Sequence, residues 1–177
     1  DWRYIDMRNN LGKSFEILGN FGGIHFFPTL IVFFCCMPMG ATLSLQETIP
    51  ETNMQAYAGF FICIIGVLYE IISDAQLHRF REENPHQKGI IETGLWSYSR
   101  HPNYFFEWLH WWAYILLSIG SSLWWLSWLI MLIVLIFLVK ITGIPYTEKN
   151  AIRTKGSAYK KYQQTTSSFL LLPPRRP

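Results

Sequence analysis

The chain has 177 residues, of which 50% are hydrophobic, 17% aromatic and 15% charged, and its net charge is +3. Soluble domains carry about 25% charged residues, so this shortfall, with 8 Trp and 13 Phe, argues against a soluble globule, a disordered chain and a basic nucleic-acid-binding arm. One membrane domain over 1–177 is the organisation left standing.

The sequence opens at Asp1 with no secretory pattern and reads as a piece of a longer protein. The glycine-rich stretch Leu11 to Ile24 has the composition of an interfacial or re-entrant segment. A spanning helix needs about 20 apolar residues, and four stretches approach that length: 25–45, kinked by Pro28 and Pro38; 56–77, apolar until Glu70 and Asp74; 104–119; and 122–139. Gly120 and Ser121 leave only a tight turn between the last two, which predicts a helical hairpin. The fold class expected is therefore an all-α integral membrane protein with four transmembrane helices, the C-terminal part of a larger bundle. Cys35, Cys36 and Cys63 lie in apolar runs and read as small core residues, with neither a disulfide framework nor a metal-ligand spacing.

The basic residues give this division an orientation. Arg3, Arg8 and Lys13 precede the first span; Arg79, Arg81, Lys88 and Arg100 lie in the loop 78–103; the rest begin at Lys140, in the tail 140–177. With four spans, all 15 Lys and Arg fall on one side, and that side is the cytosol by the positive-inside rule. Localisation in a bacterial inner membrane or the endoplasmic reticulum follows, with both termini cytosolic. Residues 146–162 read as a polar helix or loop, and the closing Pro-Pro-Arg-Arg-Pro as a frayed tail.

Carboxylates inside membrane helices are costly and usually face a protein interior or a wet cavity. Glu70 and Asp74 share one helix face, with Arg79 and Arg81 within about two turns. They either pair with those arginines at the interface or build a polar ligand site; the clustering beside the loop favours the site. Tyr104, Glu107, Trp111 and Tyr114 form a second stripe, with His110 at its edge, open to reading as a binding face, a packing seam or an interfacial belt. Ahead of it, in Tyr98-Ser99-Arg100-His101-Pro102-Asn103, Pro102 suits the first turn of a helix. That helix start and Arg100 together suit a phosphate, whereas His101 reads as a capping or hydrogen-bonding residue before a base. The chain contains no G-x-G-x-x-G, Walker, G-x-S-x-G or H-E-x-x-H motif, so no metal site and no hydrolase are expected.

Ser73-Asp74, Leu77, Phe80-Arg81, Gly94-Leu95-Trp96-Ser97-Tyr98, Asn103-Tyr104-Phe105 and Glu107 together resemble the C-terminal half of the steroid 5-alpha-reductases. The fuller Ser-Arg-His-Pro-Asn-Tyr run, with Glu148, Tyr159, Tyr162, Thr165 and Phe169, is most similar to bacterial membrane proteins grouped with them, as is Asp1-Trp2-Arg3-Tyr4 with Arg8. The resemblance implies a multi-helix fold that binds NADPH from the cytosolic side and reduces a carbon–carbon double bond conjugated to a carbonyl. It implies cofactor contacts at Asp74, Arg81, Asn103 and Glu107, with Tyr98, Arg100 and Tyr104 beside them. The catalytic proton donor is expected upstream of this chain. Glu70, Gly89 and Phe106 depart from the animal enzymes, which have Asn, Arg and Gly there.

The implied partners are the lipid bilayer and a hydrophobic small-molecule substrate, with no nucleic acid; nothing in the pattern sets an oligomeric state. Two other readings compete. Arg100, His101, Pro102 and Tyr104 also resemble isoprenylcysteine carboxyl methyltransferases, whose cofactor is S-adenosylmethionine. A non-catalytic lipid-binding or assembly subunit is the third, against which Glu70, Asp74, Glu107 and His110 in membrane helices speak.

Overall fold

The computed structural model describes residues 26, 29–34, 36–37, 40, 54–84 and 89–175, and all of the regular structure among them is helical. The motif at Asp1 to Arg8, the stretch 11–24, the loop 46–53, Lys88 and most of the expected span 25–45 lie outside the described residues. Within that span, residues 29–34 are helical.

Helix α1, Met54–Glu83, is long and apolar enough to cross a membrane. Its 30 residues extend about 45 Å at 1.5 Å per residue, more than a bilayer core of about 30 Å, so the charged run from His78 to Glu83 projects beyond the apolar part. Gly59, Gly66 and Ser73, seven residues apart, are its buried positions. They form a seam that admits other backbones, as small residues do between membrane helices. A Cβ on Gly66 would lie 2.7 Å from His110 Cβ and 2.9 Å from His110 N; one on Gly59 would lie 3.3 Å from the Ala113 carbonyl oxygen. The opposite face, including Phe60, Phe61, Ile64, Leu68 and Ile71, is exposed.

The chain then crosses α1 by a 3₁₀ turn, Gly94–Ser97. Gly94 adopts φ +60°, and a Cβ there would meet the Gln76 amide at 2.6 Å. That amide oxygen accepts the Leu95 N–H at 3.0 Å, and the Trp96 indole donates to the Ser73 carbonyl at 3.0 Å, so the loop is pinned to α1.

The expected span 104–119 is divided, as α2, Pro102–His110, and α3, Trp112–Ser118. The break at Trp111 is a tightened turn, with Tyr114 N–H bonded to the Trp111 carbonyl at 3.2 Å, next to the place where His110 meets Gly66. Neither piece alone has the length to cross a membrane. Trp111 packs against the buried pair Ile130 and Val134, so the deeper part of the aromatic stripe is core packing.

The tight turn anticipated at Gly120 is present: Gly120 has φ +96°, and the Ser121 hydroxyl accepts the Leu123 N–H at 3.1 Å. Helix α4, Trp124–Ile136, continues through a π-helical turn, Phe137–Ile141, into α5, Ile144–Lys155. This continuous stretch holds the second segment long and apolar enough to cross a membrane; its uncharged part ends at Val139, and Lys140 opens the polar part. Gly143 is required at the junction, because a Cβ would sit 2.5 Å from the Leu138 carbonyl oxygen.

After Gly156, at φ +57°, come α6, Ser157–Thr165, and a tail that, as far as Arg175, is bonded to the molecule and not frayed as the sequence suggests; 176–177 lie outside the described residues. Arg100 N–H bonds to the Ser167 carbonyl at 2.8 Å, Leu172 N–H to that of Tyr98 at 3.1 Å and Arg175 N–H to that of Thr165 at 2.8 Å. The tail is the second wall of the loop that carries Arg100.

Candidate functional site

A cavity of about 700 Å³ opens at the polar end of α1, bounded by the loop 89–101, the start of α2, and α5 with α6. Asp74, His78 and Arg81 reach it from α1, Trp96, Arg100 and His101 from the loop, Asn103 and Tyr104 from α2, and Thr147, Lys155, Tyr159 and Tyr162 from α5 and α6. Its volume falls in the range of cofactor clefts, about 300–1,000 Å³.

At the α1–α2 contact, Asn103 Nδ2 donates to Asp74 Oδ1 at 3.0 Å. Asp74 lies between Ser73 and Gln76, the two residues that bond the loop to α1, and Pro102 fixes the first turn of α2, so both side chains are set by rigid backbone. Asn103 Oδ1 is buried without a hydrogen-bond partner among the described residues. A buried amide oxygen left so costs about 1–3 kcal/mol, which a ligand's donor would recover.

Arg100 is only 9% exposed, and all three guanidinium nitrogens are engaged by the protein. Nε and Nη2 donate to Glu148 Oε1 at 2.7 and 2.6 Å, and Nη1 donates to the Gln163 carbonyl at 3.0 Å and to that of Thr166. Gln163 Nε2 satisfies Glu148 Oε2 at 2.9 Å. The arginine anticipated as a free fork for phosphate is instead a clamp between the loop and the tail.

His101 occupies the cap position of α2 without capping it by its side chain. Its ring stacks on Tyr104 with centroids 5.5 Å apart, Nδ1 lies 3.0 Å from the Ser168 carbonyl and Nε2 2.9 Å from the Thr147 hydroxyl. Burial, the largest influence, holds this ring below the usual histidine range despite the nearby Glu148. The neutral ring carries its proton on Nδ1, because a carbonyl only accepts. Burial also raises the Tyr159 and Tyr162 phenols, and the Tyr162 hydroxyl donates to the Trp96 carbonyl.

Of the sequence-derived positions, Asp74, Arg81, Arg100, Asn103 and Tyr104 line the cavity, whereas Tyr98 and Glu107 are not in its lining. Tyr98 is half-exposed and contributes its backbone to the tail contact. Glu107 lies one turn deeper on α2, within electrostatic reach of Glu70 and Asp74. Among the described residues neither Glu70 nor Asp74 pairs with Arg79 or Arg81; Arg79 pairs with Glu83 at 2.8 Å, in solvent. His78, Thr147 and Lys155 were not anticipated. Lys155 lies 74 positions beyond Arg81 with no motif around it, so no local signal pointed to it; Glu148, Tyr159 and Tyr162 were marked only by resemblance.

Among the described residues, fold and site define an all-helical arrangement in which two helices have the length and apolarity to cross a membrane, with a polar cavity at the charged end of the first. The chain belongs to the family described as proteins of unknown function (DUF1295), which matches residues 1–166. No curated protein and no solved structure matches it.

Proposed function

We propose that this protein is a membrane-embedded, NADPH-dependent reductase of a carbon–carbon double bond conjugated to a carbonyl, acting on a lipid or steroid-like substrate. The observation that carries the reading is the cavity itself, where Asp74 and Asn103 are bonded across α1 and α2 and share one space with Arg81. The motifs between residues 70 and 107 that resemble steroid 5-alpha-reductases supply four of the five sequence-derived residues in its lining. In this reading the protein has four spans, with 25–45 and 104–119 joining the two long apolar helices, and the cavity faces the cytosol because the Lys and Arg collect on that side.

The residues present fit a dinucleotide. Asn103 Oδ1 is an orphaned acceptor suited to an amide or hydroxyl donor, and Arg81 has no ion pair among the described residues and offers a fork for phosphate. The chemistry that bound NADPH supplies is hydride donation to the β carbon of the enone. The chain's own part is positioning: the Asp74–Asn103 bond holds both side chains in one rotamer, Leu77, Phe80 and Ile91 line the cavity with apolar surface, and the Arg100 clamp keeps the loop closed on the tail. Glu107, one turn deeper than Asn103 and outside the cavity lining, would meet the cofactor only where its membrane-side end extends past Asn103.

The test is titration of the purified full chain, in detergent, with NADPH and with S-adenosylmethionine, followed by turnover with a lipid enone. Saturable NADPH binding and enone-dependent NADPH oxidation are the expected result. Binding of S-adenosylmethionine alone would hand the site to the methyltransferase reading, and binding of neither to the non-catalytic one.

A further inference from the structure

Four cations of the loop, Arg79, Arg81, Lys88 and Arg100, are the ones the sequence offers to phosphate. The structure removes two of them, since Arg79 is paired with Glu83 outside the cavity and Arg100 is spent on Glu148 and two carbonyls; Lys88 lies outside the described residues. Arg81 remains, and α5 brings Lys155 to the same wall. Among the described residues neither of these two forms an ion pair or a hydrogen bond. They are close enough for the Arg81 charge, added to burial, to hold Lys155 below the usual lysine range. Two like charges on one cavity, with neither paired to a carboxylate among the described residues, repel each other until an anion arrives.

The anion they suit is compact and doubly charged. Among the described residues Asp74 is the only acidic one in the cavity lining, and it sits seven residues from Arg81, about 10 Å along α1, already holding Asn103. A dinucleotide site that selects an unphosphorylated ribose places a carboxylate on its 2′-hydroxyl, whereas a site that selects the phosphorylated form places cations there. A phosphate monoester carries about −1.5 to −2 at pH 7, enough to neutralise both cations at one point.

We propose that Lys155 and Arg81 together form the subsite for the 2′-phosphate of the dinucleotide, making Lys155, on the far helix α5, the residue that selects NADPH over NADH. The proposal rests on the reductase reading and names the cofactor specificity of that same cavity.

The experiment measures NADPH and NADH affinities of the purified full chain and of Lys155→Met and Lys155→Arg. The original chain is expected to prefer NADPH; Lys155→Met is expected to lose at least about tenfold in NADPH affinity, the loss of one charge-assisted contact, with NADH affinity unchanged. Lys155→Arg, which keeps the charge, is expected to recover most of the loss. Unchanged NADPH affinity in Lys155→Met overturns the subsite, and so does an equal loss for both dinucleotides, which would move Lys155 to the pyrophosphate or to a structural role. In either outcome the reductase reading survives, because the original chain still binds NADPH. Failure of the original chain to bind either dinucleotide overturns that reading and the subsite with it. A Lys155→Met chain with an altered unfolding temperature is replaced in the comparison by Lys155→Gln, to which the same outcomes apply.

Discussion

The two ends of α1 are held to the rest of the molecule by opposite means. At the apolar end, Gly59 and Gly66 let α2 and α3 come within van der Waals reach of the α1 backbone, and shape complementarity does the work without a hydrogen bond of Gly66 to its neighbours. At the polar end, Trp96, Ser99, Arg100 and His101 are tied to Ser73, Phe169, Glu148 and Ser168 by directed bonds. Where lipid tails are as apolar as the side chains, burial gives no reason for two helices to meet, so close packing must supply it. Beyond the apolar part of α1, the loop and the tail are held in register by hydrogen bonds instead, and a cavity wall of fixed polar groups results.

The contrast makes quantitative demands. The largest effect is expected for Arg100→Leu, which strands Glu148 as a buried carboxylate; loss of one partner from a buried pair costs about 3–5 kcal/mol. Denaturant unfolding in detergent measures it, and the double variant Arg100→Leu with Glu148→Leu should recover part of the loss. A loss under about 1 kcal/mol would break the idea that the polar end depends on this clamp.

Gly66→Val is next. Its side chain must displace the His110 backbone, and overpacking of this kind costs about 1–3 kcal/mol. Protease protection of the loop 89–101 should stay intact, since the damage is confined to the apolar end; a loop that becomes protease-sensitive would show the two ends to be one cooperative unit.

Acidification probes the polar end through His101. His101 has its pKa lowered in the folded chain, so the unfolded state binds the extra proton; stability is fully present above the unfolded value of about 6.5 and declines as pH falls through it. The decline attributable to His101 sets in as pH falls from 7 towards 5.5, and His101→Gln should flatten that part of the stability profile. An unchanged profile would mean that other groups carry the acid sensitivity.

The smallest effect is expected for Trp96→Phe, which keeps most of the ring but deletes the indole N–H bonded to the Ser73 carbonyl. One such bond contributes about 1 kcal/mol, read from the same unfolding curves. The accompanying loss of loop protection would sharpen the view that this bond pins the loop to α1.

Much of this architecture is legible along the chain because it depends on local composition. The apolar run to Leu77, the uncharged run to Val139, the turn at Gly120 and the helix start at Pro102 each follow from neighbouring residues and from the backbone limits of Gly and Pro. The pairing of Asp74 with Asn103 was not legible in the same way: resemblance marked each as a separate cofactor contact, and the packing of α2 on α1 joins them. The division of 104–119 at Trp111 was not legible, because the residues around it are uniformly aromatic and apolar and the break coincides with a contact to Gly66, 45 positions earlier in the chain. Nor did composition separate Arg100 from Arg81: both are loop arginines in sequence, and only the return of α5, α6 and the tail spends one on Glu148 and leaves the other facing Lys155. Charge and hydropathy decide which segments leave water, whereas the partner of a buried charge is chosen by chain segments far apart in sequence, and that choice belongs to the tertiary structure.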